Sequence, residues 1–203
     1  MAQTRVPFSA TKLVLASGSV YRRQMLERLQ WPFEVAAADI DETPRDGEGG
    51  QCLALRLADQ KAATVAIRFP GAVILGCDQV AECDDRLLGK PGSADRALEQ
   101  LSFTAGKDII FHSGMMLRRG EERRQACVPT RVRMRKLSEA ELIDYIERDK
   151  PFDCAGAMRS ESLGVSLTEF IRSDDPTALI GLPMIRLTRM LADFGINVLA
   201  KPL

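Results

Sequence analysis

The sequence holds a single histidine and five cysteines, and neither residue type is grouped. Cys52, Cys77, Cys83, Cys127 and Cys154 form no C-x-x-C pair and no cluster with His112, which argues against a zinc site or a disulfide framework. Reduced thiols in a cytoplasmic protein are the expectation. Net charge is missing too. Twenty-eight basic and 28 acidic side chains cancel, so no global field draws the chain to a nucleic acid polymer or an anionic membrane. No apolar run approaches the ~18 residues of a membrane span, and residues 1–10 (MAQTRVPFSA) lack the apolar segment of a secretion signal. They read as a flexible lead. The chain also lacks internal repeats and the Gly-Lys-Ser/Thr of a P-loop.

What is present suffices for one compact domain over 1–203, in the form of two lobes sharing a cleft with no separable linker: 203 residues, 45% of them apolar. Residues 12–16 read as a buried strand that breaks at Ser17-Gly18-Ser19 and restarts as a helix to about Leu29, stopped by Trp31-Pro32. A strand over 33–37, a polar loop (DIDETPRDGEGG) and an alanine-rich helix over 51–68 follow. The run AVILG is a strand that delivers CDQV at its far end, and Ser93 caps a helix reaching Leu101. DIIFHSGMML and QACVPTRVRMRKL flank a charged turn as an antiparallel pair, so the sheet is mixed. Ser138 and Glu141 have capping-box spacing for a helix through Ile146. GVSL reads as a short strand, and Pro183 fits the first turn of a last helix ending near Phe194.

Two charged residues fall where a core would exclude them. On a helical wheel Met25, Leu26 and Leu29 define an apolar arc that contains Arg22 but not Arg23. A helix N-terminus offers unpaired N–H groups and partial positive charge, so Ser17, Gly18 and Ser19 with Arg22 make a site for an anion, most simply a phosphate chain. The plainer alternative is that Ser19 only caps the helix while Arg22 reaches a surface carboxylate. Lys61 likewise projects from the middle of the face formed by Leu53, Ala54, Leu57, Ala58 and Val65. A buried ammonium must meet a carboxylate, a phosphate or a water-filled cleft. Asp78 stands where a strand end borders the crevice of an open α/β sheet. Lys90, between Gly89 and Pro91, lies at a loop tip.

DIDET matches the D-x-D-x-T pattern of haloacid-dehalogenase-type phosphatases, with Asp39 as nucleophile. That motif normally closes the first strand of its fold and needs a later acidic motif, for which only Glu82 is suitably spaced here.

The ordered set LASGSVYRRQML, DIDET, RLADQKA, GCDQV, GKP, AGAMRSESLG and IGLPM resembles the Maf-like nucleoside triphosphate pyrophosphatases from about Leu13 to Leu191. The resemblance implies an α/β fold of the Maf and inosine-triphosphatase kind, two lobes around a central twisted mixed sheet with a cleft between them. It implies a cytoplasmic enzyme that cleaves a nucleoside triphosphate to monophosphate and pyrophosphate with a divalent cation, Mg2+, Mn2+ or Co2+. Ser17, Arg22, Glu42, Lys61, Asp78 and Lys90 fall on the family's phosphate, metal and catalytic positions. Glu42 and Asp78 are the implied metal ligands, with Asp78 also the base for water at the α-phosphorus.

Tyr21, Gln79 and Glu161 resemble the 7-methyl-GTP branch, although that branch more often has tryptophan at the first position and AGSFKSEG for AGAMRSES. Methylated guanine is cationic, so an aromatic face and a carboxylate favour it over the plain base. Ser19 joins these as a substrate-binding group. Open alternatives are another nucleotide such as dTTP, UTP or CTP, and a non-catalytic nucleotide sensor regulating cell division. A small-molecule substrate and a possible homodimer complete the expectations.

Overall fold

A computed structural model describes residues 11–200; the flexible lead expected for 1–10 lies outside them. The chain runs β1 (Leu13–Ala16), α1 (Val20–Glu27), β2 (Phe33–Val35), α2 (Gly50–Ala66), β3 (Val73–Cys83), β4 (Arg86–Leu88) and α3 (Ala94–Thr104). It continues through β5 (Asp108–Arg119), β6 (Glu122–Met134), α4 (Glu139–Asp149), β7 (Thr168–Ser173) and α5 (Met184–Asp193). The seven strands form one mixed sheet in the order β2-β1-β3-β5-β6-β7, with β4 folded back on β3. β1 is parallel to β2 and β3, and the remaining pairings are antiparallel.

Strand alternation sorts the core. Val73, Leu75 and Cys77 point to the face covered by α1 and α5, where Met25, Leu26, Leu187 and Leu191 are buried. Further along β3, Ala81 and Cys83 on the same face meet α3 and α4 through Leu101, Leu142 and Ile146. Gln79 lies between these two apolar clusters, at the gap that becomes the cleft. The opposite face, with Ile74 and Met116, packs on Ala58, Ala62 and Val65 of α2.

Helix α2 lies unusually close to the sheet. A Cβ at Gly76 would fall 2.0 Å from the Ala58 carbonyl oxygen, and one at Gly114 would fall 2.6 Å from that of Ala54. Both contacts are with backbone, which cannot move aside, so side chains are excluded at these two points.

Several sequence expectations need correction. The strand that begins at AVILG does not deliver CDQV at its end but runs on to Cys83, because β5 pairs with it from Ile74 to Glu82. Asp78 therefore sits mid-strand. Its side chain is buried on the α2 face of the sheet, where it meets Lys61, and Lys61 rather than Asp78 lines the cleft. GVSL lies in a 3-10 turn, Leu163–Leu167, and the strand is the segment after it, β7. Pro183 is the residue before α5 rather than part of its first turn. Buried Asp175 supplies the cap for that helix, its Oδ2 accepting from the backbone N–H of Ile185 at 2.7 Å and Arg186 at 3.2 Å. The capping box at Ser138 and Glu141 is present, and α4 extends one turn past Ile146 to Asp149.

Candidate active site

A cleft of about 700 Å3 opens beside β3, between the α1/α5 and α3/α4 clusters. Its floor is the corner from β1 to α1. Ser17, buried at the end of β1, accepts from Ser19 N at 3.2 Å and from Arg22 Nη1 at 3.4 Å. Ser19 caps α1 by accepting from Arg22 N at 3.4 Å and also lines the cleft, so the capping and ligand-facing readings of this residue are compatible. Arg22 does not reach a surface carboxylate. Its Nη1 donates to the Cys77 carbonyl at 3.0 Å and its Nε to the Gly181 carbonyl at 3.1 Å. Nη2 has no hydrogen-bond partner among the described residues, which leaves this side of the guanidinium for an anion.

Lys61 is the centre of charge. Its Nζ lies 2.5 Å from Asp78 Oδ1 and 2.7 Å from Glu42 Oε1. The Lys61 and Asp78 side chains are 9% and 10% exposed, whereas Glu42 is 56% exposed and reaches in from the loop after β2. That loop is tied to α2 by Arg56, which donates to Thr43 O at 3.0 Å and grips both oxygens of Glu48 at 2.7 Å. The fork geometry holds the Glu48 carboxyl at a pKa of about 2, chiefly through the hydrogen bonds to Arg56. Burial pushes the Glu42 carboxyl up. The bond and charge of Lys61, with Lys90 and Arg22 adding, outweigh that and hold it below its ordinary value. Lys90 lines the same cleft from its exposed loop.

Tyr21 and Glu161 line the other end of the cleft, with Asp153, Cys154 and Ser160. Burial raises the Tyr21 hydroxyl above its ordinary value, followed by Cys154 and Asp153, with Arg159 opposing and Glu161 adding. The carboxylates of Asp153 and Glu161 thus lie near this ring, with the Arg159 guanidinium opposing them. Gln79 lines the wall between the two ends. Its Nε2 donates to Ser113 Oγ at 3.1 Å and to the carbonyls of Ala178 and Leu179 at 3.0 and 2.9 Å, which leaves its carbonyl oxygen to offer a ligand.

Ser113 was not anticipated from the sequence. It is fully buried and donates to Ala178 O at 2.7 Å, pinning the segment that brings Leu179 and Ile180 to the cleft. Asp153 and Cys154 were also missed, although they directly precede the AGAMRSES motif.

The phosphatase pattern has no matching geometry. Asp39 and Asp41 are exposed in the loop after β2 rather than at the end of β1, and Asp41 Oδ1 accepts from Thr43 N at 2.9 Å. Glu82 is turned toward His112 Nε2 at 2.9 Å and Gly50 N at 3.3 Å, at the start of α2.

Residues 12–194 match the family model described as Maf-like protein. The chain belongs to the Maf-like family. Among curated relatives of this Maf-like protein, the 7-methyl-GTP pyrophosphatase of Bordetella pertussis is 47% identical across 96% of this chain and 98% of its own length. The proteins of that name from Albidiferax ferrireducens and Methylobacillus flagellatus are 49% and 46% identical, covering 93% and 92% of this chain and 96% and 98% of theirs. A solved structure, the Staphylococcus aureus Ham1 protein, superposes with a TM-score of 0.46 at 14% identity, over 62% of this chain and 72% of that one. No helix among the described residues is long and apolar enough to cross a membrane.

Proposed function

We propose that this protein hydrolyses 7-methyl-GTP to 7-methyl-GMP and pyrophosphate in the cytoplasm, with water attacking the α-phosphorus. The observation that carries the reading is the polarised cleft. Arg22, Lys61, Lys90 and Glu42 line one end, with buried Asp78 behind Lys61, and an aromatic ring with the carboxylates of Asp153 and Glu161 lines the other. Full-length relatives bearing that enzyme name support it.

The residues present fit a divalent cation. Glu42 and Asp78 already converge on one positive charge, the Lys61 ammonium. No group of three or more His, Cys, Asp or Glu converges among the described residues, so phosphate oxygens and water would complete the shell, as suits Mg2+, Mn2+ or Co2+. The chemistry such an ion supplies when bound is a lower pKa for nearby water and neutralisation of phosphate charge.

The protein's own groups divide the rest of the work. Arg22, Lys90 and the hydroxyls of Ser17 and Ser19 bind and orient the triphosphate, with Lys61 positioned to compensate charge that builds on the phosphoryl oxygens. The Asp78 carboxylate accepts the proton of the attacking water, and Lys61, bonded to its Oδ1, keeps that carboxylate aimed. At the base end, Tyr21 stacks on the cationic ring and Glu161 accepts from the guanine N–H groups, with the Gln79 oxygen as a further acceptor.

A panel of canonical and methylated triphosphates with each metal, scored for leaving group, tests this. Pyrophosphate from 7-methyl-GTP in preference to GTP is the expected result. Release of single phosphates, or binding without release, would refute it.

A further inference from the structure

Glu161 is exposed, and Ser160 Oγ at 3.3 Å is the hydrogen-bond partner of its carboxylate. Its placement therefore depends on its backbone. The Arg159 carbonyl accepts from Ser162 N at 3.2 Å and Gly164 N at 3.1 Å, closing a tight turn around Glu161. A Cβ at Gly164 would fall 2.4 Å from that carbonyl oxygen, so the two backbones are in direct contact.

Three contacts fasten this turn to α4. Arg159 N donates to the Tyr145 hydroxyl at 3.1 Å, Arg159 Nη1 donates to the Asp149 carbonyl at 2.8 Å, and Ser162 Oγ donates to Asp149 Oδ1 at 2.6 Å. Tyr145 and Asp149 are four residues apart and share one face of the helix. Asp149 is 7% exposed, yet its ion-pair partner Arg159 Nη1 is 3.9 Å from Oδ1. A buried carboxylate so weakly paired is costly compared with an apolar residue, and neither the chemistry nor the core accounts for it. Both ends of the turn that carries Glu161 converge on this one residue.

We propose that Asp149, together with Tyr145, is a positioning residue that holds the Arg159–Ser162 turn so that Glu161 stands at the base end of the cleft, setting base discrimination without touching nucleotide. This rests on the reading of Glu161 as the group that binds 7-methylguanine. A group fixed before binding loses less freedom on binding, so the turn contributes affinity through order rather than contact.

The test compares Ser162→Ala, Asp149→Ala, Ser162→Thr and Glu161→Gln in the full-length protein, by pyrophosphate release from 7-methyl-GTP and GTP and by amide hydrogen exchange over 159–164. The two alanine variants are expected to lower the 7-methyl-GTP to GTP ratio of kcat/KM about three- to tenfold, the loss of one hydrogen bond, acting through KM. GTP kcat is unchanged, exchange at Ser162 and Gly164 quickens, and Ser162→Thr keeps the wild-type ratio. Ser162 is exposed, so its variant folds even where Asp149→Ala does not. An unchanged ratio in Ser162→Ala alongside a lowered one in Glu161→Gln overturns the proposal and leaves the functional reading intact. A wild type without preference for 7-methyl-GTP, or an unaffected Glu161→Gln, overturns that reading first and the proposal with it.

Discussion

Replacing Lys61 by methionine keeps the buried stem of the side chain and deletes its charge. Two carboxylates then face each other without the ammonium that both now contact. Because Lys61 and Asp78 are 9% and 10% exposed, this is the loss of one partner from a buried pair, which costs about 3–5 kcal/mol. Glu42 is 56% exposed and water screens its share, so the cost belongs to Asp78. Against a total stability of about 5–15 kcal/mol the loss is a large fraction, and at about 2–4 °C per kcal/mol for a chain of this size it lowers Tm by about 6–20 °C. Urea and thermal unfolding followed by circular dichroism measure it. Adding Asp78→Asn removes the stranded charge and recovers most of the loss. A deficit under about 1 kcal/mol would show that the carboxylates do not depend on this ammonium.

Asp78→Asn abolishes pyrophosphate release while calorimetry still detects nucleotide binding; retained turnover removes Asp78 as the base. Tyr21→Ala weakens 7-methyl-GTP more than GTP, by about two- to thirtyfold, the range of a cation–π contact of ~0.5–2 kcal/mol. Equal losses for the two nucleotides would refute stacking. Glu48 has its pKa depressed to about 2 by Arg56, so its contribution is present above the ordinary glutamate range and is lost as pH falls toward 2. The urea midpoints of wild type and Glu48→Gln should therefore differ at neutral pH and converge in acid, and a constant gap would mean that the Arg56 fork does not act through charge.

Sequence periodicity exposed the parts of the site that contradict their surroundings. Arg22 and Lys61 stand on apolar helix faces, and a charge in such a place calls for a ligand or a counter-ion wherever the helix docks. The reading of β3 failed for a related reason. Asp78, Gln79 and Glu82 interrupt the apolar run, so the strand looked finished at Gly76, but β5 pairs across all of them. Their side chains go to Lys61, to the 178–179 carbonyls and to His112. The β3–β4 hairpin was missed as well. Asp84 and Asp85 form its two-residue turn with φ of 48° and 61°, a conformation aspartate tolerates and a signal that CDDR carries faintly beside Asn-Gly.

Supports that act across long chain separations left no such trace. Ser113 and its carbonyl acceptor at Ala178 are 65 residues apart, and a serine within a strand is unremarkable until its partner is known. The same holds for Asp149, one acid among several on α4, whose meaning depends on a turn that arrives 10 to 13 residues later. The glycines join the two kinds of information. Gly76 and Gly114 looked like ordinary strand residues, yet their missing side chains let α2 settle against β3 and β5. A helix held farther out by even one methyl group would withdraw Lys61 from Asp78, across a contact of 2.5 Å. The charge that betrayed the site in the sequence can therefore reach its partner only because two positions with no chemistry of their own leave it room.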